Sequence, residues 1–395
     1  MKSEVVVAGV GMTRFVKPSE SPRYTELGAD AVRMALEDAG LGYGWVAQAY
    51  VGYVYGDSTC GQRALYGVGM TGIPIVNVNN NCSTGSTALW LARNAIMSGQ
   101  AECVLALGFE QMQPGALVEH WQDRPGPLDE FVRAATEANF DPDAPMAPKM
   151  FGGAGIEHQR KYGTKAETFA MIRAKASRHA VHNERAIFRK EVTVDEVMAS
   201  PRVTSLLTRL QCCPPTCGAA AAILCSPDFA RRHGLDTRVS IVAQAMTTDF
   251  NSTFADHDLM KVVGYDMTAA AAAAVYAEAG IGPDEVDVAE LHDCFTANEL
   301  ITYEGLGFCA AGGAEKFIVD GDNTYGGKVV TNPSGGLLSK GHPLGATGLA
   351  QCFELTGQLR GNMGPRQVEG ARVGLQHNLG LGGACVVTLY RGNRG

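Results

Sequence analysis

A cysteine and a histidine stand in two segments of matching sequence, 260 positions apart. Cys82 lies in the run Asn81-Cys82-Ser83-Thr84-Gly85, and His342 lies in Gly341-His342-Pro343-Leu344-Gly345. When the first run is placed on the second, Gly85 falls on Gly345, and Thr87 and Leu89 fall on Thr347 and Leu349. One structural element therefore occurs twice, once with a thiol and once with an imidazole. A thiol and a base are the parts of a nucleophilic catalyst.

The surroundings of each residue favour that chemistry. Cys82 precedes a predicted helix, whose unpaired amides and macrodipole would lower the pKa of the thiol. The same amides could donate to an oxyanion. His342 stands between Gly341 and Pro343, on a rigid turn where a neutral imidazole could accept the thiol proton. We therefore predict Cys82 as the nucleophile and His342 as its base.

Two further motifs carry groups suited to chemistry. His292-Asp293-Cys294-Phe295 follows a predicted strand at 286–291, and sites in parallel α/β sheets gather at the carboxyl ends of strands. An imidazole and a second thiol lie two residues apart there. Gly380-Leu381-Gly382 leads into the last predicted strand, and its backbone amides are accessible to a bound carbonyl group.

Composition excludes several classes of protein. The chain of 395 residues is 46% hydrophobic and has a net charge of −8, which gives no support to binding of nucleic acid or of membrane surfaces. No apolar run approaches a membrane span, and the N-terminus does not read as a signal peptide, so we expect a soluble intracellular protein. The eleven cysteines are scattered through apolar segments rather than arranged as a disulfide scaffold. Cys212 to Cys217 has no second ligand pair nearby, so we expect a tight turn and no metal.

The duplication extends beyond the two catalytic turns. Ala31–Gly42 aligns with Ala271–Gly282, each an Ala-rich helix that ends at glycine and leads into an apolar strand. Short apolar strands alternate with helices in both halves, which predicts mainly parallel α/β sheets covered by helices. The segment Ser83–Ser98 is apolar nearly all round, as is typical of a helix between layers. Pro343–Leu359 is its counterpart in the second half.

The segment from about Gln113 to Arg209 differs in composition from the rest of the chain. Six prolines break residues 113–150 into loops, and a helical stretch follows. From Arg160 to Lys190 there are nine lysines or arginines against two glutamates. This local excess is explained by a solvated helix face, or by an anionic ligand whose phosphates accept charge-assisted hydrogen bonds.

Together these motifs resemble the thiolase superfamily, and within it the sterol carrier protein X type of thiolase. The resemblance covers essentially the whole chain. It implies a five-layered αβαβα fold, an α/β architecture of two homologous halves with an inserted loop domain. The first half would comprise residues 1–112 and 210–240, the loop domain 113–209, and the second half 241–395.

The resemblance also implies a reaction and its participants. It implies cleavage of a 3-oxoacyl-CoA by CoA through an acyl group on Cys82, or the reverse condensation, in lipid metabolism and fatty acid β-oxidation. It further implies CoA as a co-substrate, no permanently bound cofactor, and a homodimer or dimer of dimers. The basic segment would then contact the phosphates of CoA.

The resemblance assigns roles with one departure from commoner thiolases. Their second catalytic cysteine, in a Cys-x-Gly motif, is replaced here by Gly380-Leu381-Gly382, so the acid/base thiol is assigned to Cys294. His292 and His342 would stabilise the enolate of the thioester. The amides of Cys82 and Gly382 would hold the oxyanion at the acylated carbon. Two further residues, Asn378 and Ser334, are assigned to substrate binding.

Three alternatives remain open. A related acyltransferase could use a non-CoA acceptor or need an accessory subunit. A retro-aldol lyase acting on a steroid side chain would need no acyl-cysteine, so the complete pair of Cys82 and His342 disfavours it. A lipid carrier is disfavoured because the chain ends at Gly395, directly after the last expected strand. The C-terminal residues 391–395 are not a peroxisomal Ser-Lys-Leu address, which favours a cytoplasmic protein.

Overall fold

The computed structural model describes residues 4–113, 121–138 and 140–393. Residues 114–120 of the predicted loop domain and the last two residues of the chain lie outside the described residues. Ten strands are described: β1 Val5–Met12, β2 Gln48–Gly52, β3 Ile75–Val78, β4 Cys103–Glu110, β5 Gly218–Cys225, β6 Val239–Thr247, β7 Val288–Glu290, β8 Val330–Thr331, β9 Val373–Gly380 and β10 Ala384–Gly392. The helices are α1 Tyr24–Ala39, α2 Cys60–Leu65, α3 Thr84–Met97, α4 Asp129–Glu137, α5 Met146–Tyr162, α6 Ala166–Ala180, α7 Val194–Ala199, α8 Pro227–Arg232, α9 Ser252–Ala255, α10 Leu259–Val262, α11 Tyr265–Ala279, α12 Thr296–Gly305, α13 Ala314–Val319, α14 Gly336–Ser339 and α15 Thr347–Arg360.

The order of the strands shows the duplication directly. Across the described part of the chain it is β3-β2-β4-β5-β1-β6-β10-β9-β7-β8. Read outwards from the centre, β1-β5-β4-β2-β3 matches β6-β10-β9-β7-β8 strand for strand. Within the described sheet, the halves are joined by two residue pairs between β1 and β6, Val5 with Ile241 and Val6 with Ser240. The two predicted halves are therefore two five-stranded sheets that meet at β1 and β6.

The prediction of mainly parallel sheets was wrong, because each half is mixed. Strands β2, β3 and β4 pair in parallel, as do β7, β8 and β9. Strands β1, β5, β6 and β10 make antiparallel pairs. The turn between β9 and β10 holds only three residues, which permits a hairpin but not a parallel crossover.

The helices form three layers around the two sheets. Helices α3 and α15 pack against each other and against strands of both halves, which confirms the prediction that they lie inside the protein. Helix α1 covers β1 and β5, and α11 covers β6 and β10, so α1 and α11 form the outer layers. A Cβ atom on Gly85 would lie 2.7 Å from the carbonyl oxygen of Gly345. Glycine at both duplicated turns therefore allows the start of α3 to contact the start of α15.

The long insertion lies between β4 and β5, where the second half has only its three-residue turn. It carries α4 to α7, and α5 and α6 pack on α12 of the second half. The domain boundaries given above stay a prediction. In the described part of the chain, no helix has both the length and the apolar character needed to cross a membrane.

Part of the basic segment turns inward rather than toward a ligand. Lys175 on α6 is 2% exposed and donates to Glu299 on α12, to Tyr303 Oη at 3.1 Å and to Thr331 Oγ1 at 2.5 Å. Arg173, also buried, donates to Ser339 Oγ. These two cations tie the insertion to the second half, so the expectation that the basic segment serves CoA phosphates does not extend to them.

This buried ion pair leads to a prediction about stability. Lys175→Met would leave the Glu299 carboxylate buried without its cation, so we expect a loss of about 3–5 kcal/mol in the free energy of unfolding. Lys316→Met is the control, because Lys316 and its partner Asp320 are both exposed at the surface. There the expected loss is about 1 kcal/mol or less. Urea unfolding of both variants measures the difference, and equal losses would contradict the assignment.

Candidate active site

The four predicted catalytic side chains line one cavity. Cys82, His292, Cys294 and His342 surround a volume of about 230 Å³. Its walls come from both halves and from the insertion, and most of them are apolar, including Phe151, Phe295, Leu344, Leu379 and Leu381. The cavity is therefore a place where an acyl chain could pack while a thiol and two imidazoles reach its polar end.

Three of the reactive side chains are in reach of one another. The Sγ of Cys82 and one ring nitrogen each of His292 and His342 all lie within 4.8 Å of one another. The two imidazole rings are 5.0 Å apart and nearly perpendicular, at 82°. A substrate carbonyl placed among them would meet the thiol and both imidazoles at once.

Cys82 lies two residues before the first residue of helix α3, and not at the helix start as predicted. Helix α3 begins at Thr84, and the Cys82 thiol donates instead to Asn81 Oδ1 at 3.6 Å. Burial, followed by the negative charge of Glu110, raises the pKa of the Cys82 thiol to about 12. The prediction of a lowered thiol pKa was therefore wrong for the free protein, because the cavity and the carboxylate outweigh the helix amides. Cys82 rests as a neutral thiol.

His342 is arranged as a base. Thr347 Oγ1 donates to the Pro343 carbonyl oxygen at 3.0 Å, so it accepts from His342 Nδ1 at 2.7 Å. The proton therefore sits on Nδ1, and Nε2 carries a free lone pair. That Nε2 is buried without a hydrogen-bond partner among the described residues. Burial lowers the pKa of His342 to about 3, so the ring is neutral before substrate arrives.

His292 has the opposite arrangement. The Asn378 Nδ2 group donates to the Cys82 carbonyl oxygen at 3.1 Å and lies 3.0 Å from His292 Nδ1. Because an amide NH₂ group can only donate, Nδ1 is the acceptor and Nε2 carries the proton. Burial and the neighbouring His342 and His377 hold the pKa of His292 well below its usual range. The cavity thus has two neutral imidazoles, one with a free lone pair and one with a free N–H.

The same three side chains offer ligand types that a zinc ion takes. A metal at this point would require His292 to give up its Nε2 proton, because Asn378 occupies Nδ1. The N–H of His292 therefore fits an oxygen acceptor better than a metal ion.

Cys294 lies across the cavity in a loop between β7 and α12. The Cys213 amide donates to the Cys294 carbonyl oxygen at 2.9 Å, which brings a second thiol from the insertion side next to it. Burial, then Cys213 and Cys82, hold the pKa of the Cys294 thiol well above its usual range. A thiol that stays protonated is suited to donate a proton.

The other predicted site residues, Gly382, Asn378 and Ser334, do not line the cavity themselves. Gly382, with φ of 91°, sits in the tight turn between β9 and β10, and its neighbour Leu381 reaches the cavity. Asn378 is buried behind His292 and is not among the residues that line the cavity. Ser334 is buried away from it as well, where its hydroxyl donates to Glu290 at 2.7 Å and accepts from Lys340 at 2.8 Å.

Comparison with known proteins places this cavity in a family. The family model described as the thiolase N-terminal domain matches residues 5–228, and the model described as thiolase C-terminal domain-like matches residues 249–390. The chain belongs to the thiolase family. It is 56% identical over 391 residues to sterol carrier protein 2 of Oryctolagus cuniculus, covering 98% of this chain and 72% of the relative. It is 34% identical to the acetyl-CoA acetyltransferase of Methanothermobacter thermautotrophicus, covering 98% of this chain and 99% of the relative.

Solved structures share the thiolase fold. An Ltp2-ChsH2(DUF35) aldolase has a TM-score of 0.83 and 22% identity, covering 100% of this chain and 99% of that one. The human mitochondrial 3-ketoacyl-CoA thiolase in complex with CoA has a TM-score of 0.73 and 18% identity, covering 99% and 98%. These likenesses confirm the predicted fold.

Three features of this thiolase cavity were missed from the sequence. Cys213, expected in a buried turn, lines the cavity. Glu110 accepts from the amides of Val54, Tyr55 and Gly345 and lies near Cys82. Thr347 fixes the His342 ring, and here a signal existed, since Thr87 occupies the same place in the first copy. Both threonines donate to a carbonyl four residues earlier.

The raised pKa of Cys82 predicts a pH dependence. Alkylation of the free enzyme by iodoacetamide needs the thiolate, so its rate at Cys82 should rise about tenfold per pH unit from pH 7 to 10. Burial raises the pKa of Glu110 to about 7, so its charge opposes the thiolate above that pH. Glu110→Gln should therefore shift the curve to lower pH. Peptide mass spectrometry measures the rate, and a plateau at or below pH 7 would contradict the neutral thiol.

Proposed function

We propose that this protein is a thiolase that cleaves 3-oxoacyl-CoA with CoA, or runs the reverse Claisen condensation, through an acyl group on Cys82. The observation that carries the proposal is the joint presence of a thiol, a basic imidazole and a donor imidazole within 4.8 Å. Acyl transfer with carbon–carbon cleavage needs all three. Membership of the thiolase family supports the reaction class.

The first half of the proposed reaction breaks the carbon–carbon bond. His342 Nε2 accepts the Cys82 proton, and the sulfur attacks C3 of the substrate. The amides of Cys82 and Gly382 hold the resulting oxyanion. When the C2–C3 bond breaks, its electron pair forms the enolate of the departing thioester. The enolate oxygen accepts from His292 Nε2–H and from protonated His342, and the Cys294 thiol gives its proton to C2.

The second half restores the enzyme. The Cys294 thiolate takes the proton of the incoming CoA thiol, and the CoA sulfur attacks the acyl carbon on Cys82. Collapse of the tetrahedral intermediate releases an acyl-CoA that has two carbons fewer than the substrate, or three fewer for a 2-methyl substrate. The Cys82 sulfur then recovers its proton from His342. Each proton has returned to the residue that lost it.

A retro-aldol lyase is the second candidate, because the Ltp2-ChsH2(DUF35) aldolase has the higher of the two TM-scores given above. At 22% identity that likeness concerns the fold. A retro-aldol cleavage leaves a carbonyl product and needs no acyl-cysteine. The free lone pair of His342 beside the Cys82 thiol favours thiolysis.

The test is a panel of 3-oxoacyl-CoA substrates of different length and branching, assayed with and without free CoA. Thiolysis predicts sustained cleavage only when CoA is present, with two acyl-CoA products. A 3-hydroxyacyl-CoA is assayed beside the panel, and its steady cleavage to an aldehyde or ketone without CoA would favour the lyase instead.

The proposal extends to CoA binding, assembly and location. The exposed cations of the basic segment, such as Arg178, are suited to CoA phosphates now that Arg173 and Lys175 are internal. We further propose a homodimer or dimer of dimers in the cytoplasm. All eleven cysteines are free, as is usual in a reducing compartment.

A further inference from the structure

Asn378 lies between the backbone of Cys82 and the imidazole of His292. Its Nδ2 group donates to the Cys82 carbonyl oxygen and to His292 Nδ1, at 3.1 and 3.0 Å. Its Oδ1 accepts from the Ser86 hydroxyl at 2.8 Å. Asn378 is fully buried and all of its polar atoms are engaged. One side chain therefore touches the nucleophile's backbone and a catalytic imidazole, without lining the cavity.

A chain of hydrogen bonds fixes which way the Asn378 amide points. On the same strand, Gln376 Nε2 donates to the Gly348 carbonyl oxygen at 2.7 Å, and to Ser86 Oγ at 2.7 Å. Since Ser86 Oγ accepts from Gln376, its own proton goes to Asn378 Oδ1. A backbone carbonyl, which can only accept, thus stands at each end of the chain. The orientation of both amides follows, and Asn378 must offer N–H to His292.

We propose that Asn378 is a positioning residue that decides which nitrogen of His292 carries the proton. It makes His292 a hydrogen-bond donor at Nε2, while Thr347 makes His342 a base at Nε2. Two chemically identical side chains thereby have different roles in one cavity, His292 as a hydrogen-bond donor and His342 as a base. The inference rests on the proposed function, because the donor matters only if a thioester enolate forms there.

The alternative tautomer would be harmful to that reaction. With the proton on Nδ1, His292 would present a lone pair to the enolate oxygen, and two electron-rich atoms would face each other. One preorganised donor to a developing oxyanion commonly contributes on the order of a hundredfold or more to the rate. Loss of the Asn378 N–H should therefore lower kcat while leaving the KM for substrate nearly unchanged.

The direct test measures the tautomer of His292 in the protein without substrate. The enzyme is labelled with ¹⁵N-histidine, and the His292 resonances are assigned by their loss in a His292→Asn variant. In the wild type we expect a protonated Nε2 and an unprotonated Nδ1. Asn378→Asp replaces the donor with an acceptor, so the proton should move to Nδ1. A wild-type ring protonated at Nδ1 would overturn the proposal without any variant.

The kinetic arm separates positioning from general damage to the fold. Asn378→Ala should reduce kcat for 3-oxoacyl-CoA thiolysis about a hundredfold, with a change in KM of less than about threefold. The matched control is Asn298→Ala, because Asn298 is also buried and donates to the His292 carbonyl oxygen at 2.5 Å, not to its ring. In the Asn298→Ala variant, His292 should keep the wild-type tautomer, and kcat should fall about tenfold or less. Equal losses with an unchanged tautomer in both variants would overturn the proposal.

The two arms fail in different ways. If the tautomer is as expected but no 3-oxoacyl-CoA is cleaved, the proposed function fails and the role of Asn378 in setting the tautomer stands. If thiolysis occurs and His292 carries its proton on Nδ1, the proposed function stands and the inference about Asn378 fails.

Discussion

Cys82→Ala is expected to reduce 3-oxoacyl-CoA cleavage by at least about 10⁴-fold, because no acyl-enzyme can form without the attacking sulfur. Fold and cavity should be retained, since Cys82 is partly exposed and precedes α3 rather than packing inside it. The measurements are the steady-state rate and intact-protein mass spectrometry after mixing with substrate.

The matched control for this variant is Cys213→Ala. Cys213 lines the same cavity, and burial holds the pKa of its thiol well above its usual range, as it does for Cys82, but no base is assigned to Cys213. This control should still carry an acyl group after exposure to substrate. If Cys82→Ala trapped the acyl group and Cys213→Ala did not, the nucleophile would be Cys213.

Cys294→Ala should separate the two chemical tasks. Acylation of Cys82 by a simple acyl-CoA depends mainly on Cys82 and His342, because the departing CoA thiolate is stable without the proton that Cys294 would give it. Its rate should therefore change less than about tenfold. Exchange of the C2 protons of acetyl-CoA with deuterated water needs the Cys294 thiol, and should slow by about 10²–10⁴-fold. Proton NMR follows the exchange, and peptide mass spectrometry follows the acylation.

The same pair of assays on Cys213→Ala identifies the acid among neighbouring thiols. The Cys213 amide donates to the Cys294 carbonyl oxygen, and the Cys213 thiol helps to raise the pKa of Cys294, so Cys213 is the natural competitor for the role. Exchange that persists in Cys294→Ala and is lost in Cys213→Ala would transfer the acid/base role to Cys213.

The duplication predicted from sequence was the most productive signal. It placed Cys82 and His342 on equivalent turns, and the structure brings those turns together, with Gly85 against the Gly345 carbonyl oxygen. This could be predicted because identical spacing of glycine, threonine and leucine records a shared local geometry. The αβαβα layering was implied by the resemblance to the thiolase superfamily, and the repeat agrees with it.

Other features depend on contacts that no local pattern encodes. The Ala-rich run Gly218–Cys225 forms a central strand, although alanine favours helices, because sheet neighbours on both sides outweigh its intrinsic preference. The raised pKa of Cys82 depends on burial in the cavity and then on Glu110 at the end of β4, and so on tertiary packing. The tautomers of His292 and His342 depend on Asn378 and Thr347, and so on the directions of individual hydrogen bonds.

The central claim is that Cys82 carries the acyl group between carbon–carbon cleavage and transfer to CoA. The most direct measurement is to mix the enzyme with 3-oxooctanoyl-CoA in the absence of free CoA, quench it, and map the modified peptide by mass spectrometry. The account predicts release of acetyl-CoA together with a hexanoyl group on Cys82, which disappears when CoA is added. Cleavage of the substrate with no acyl group on Cys82, or with the group on another cysteine, would contradict it.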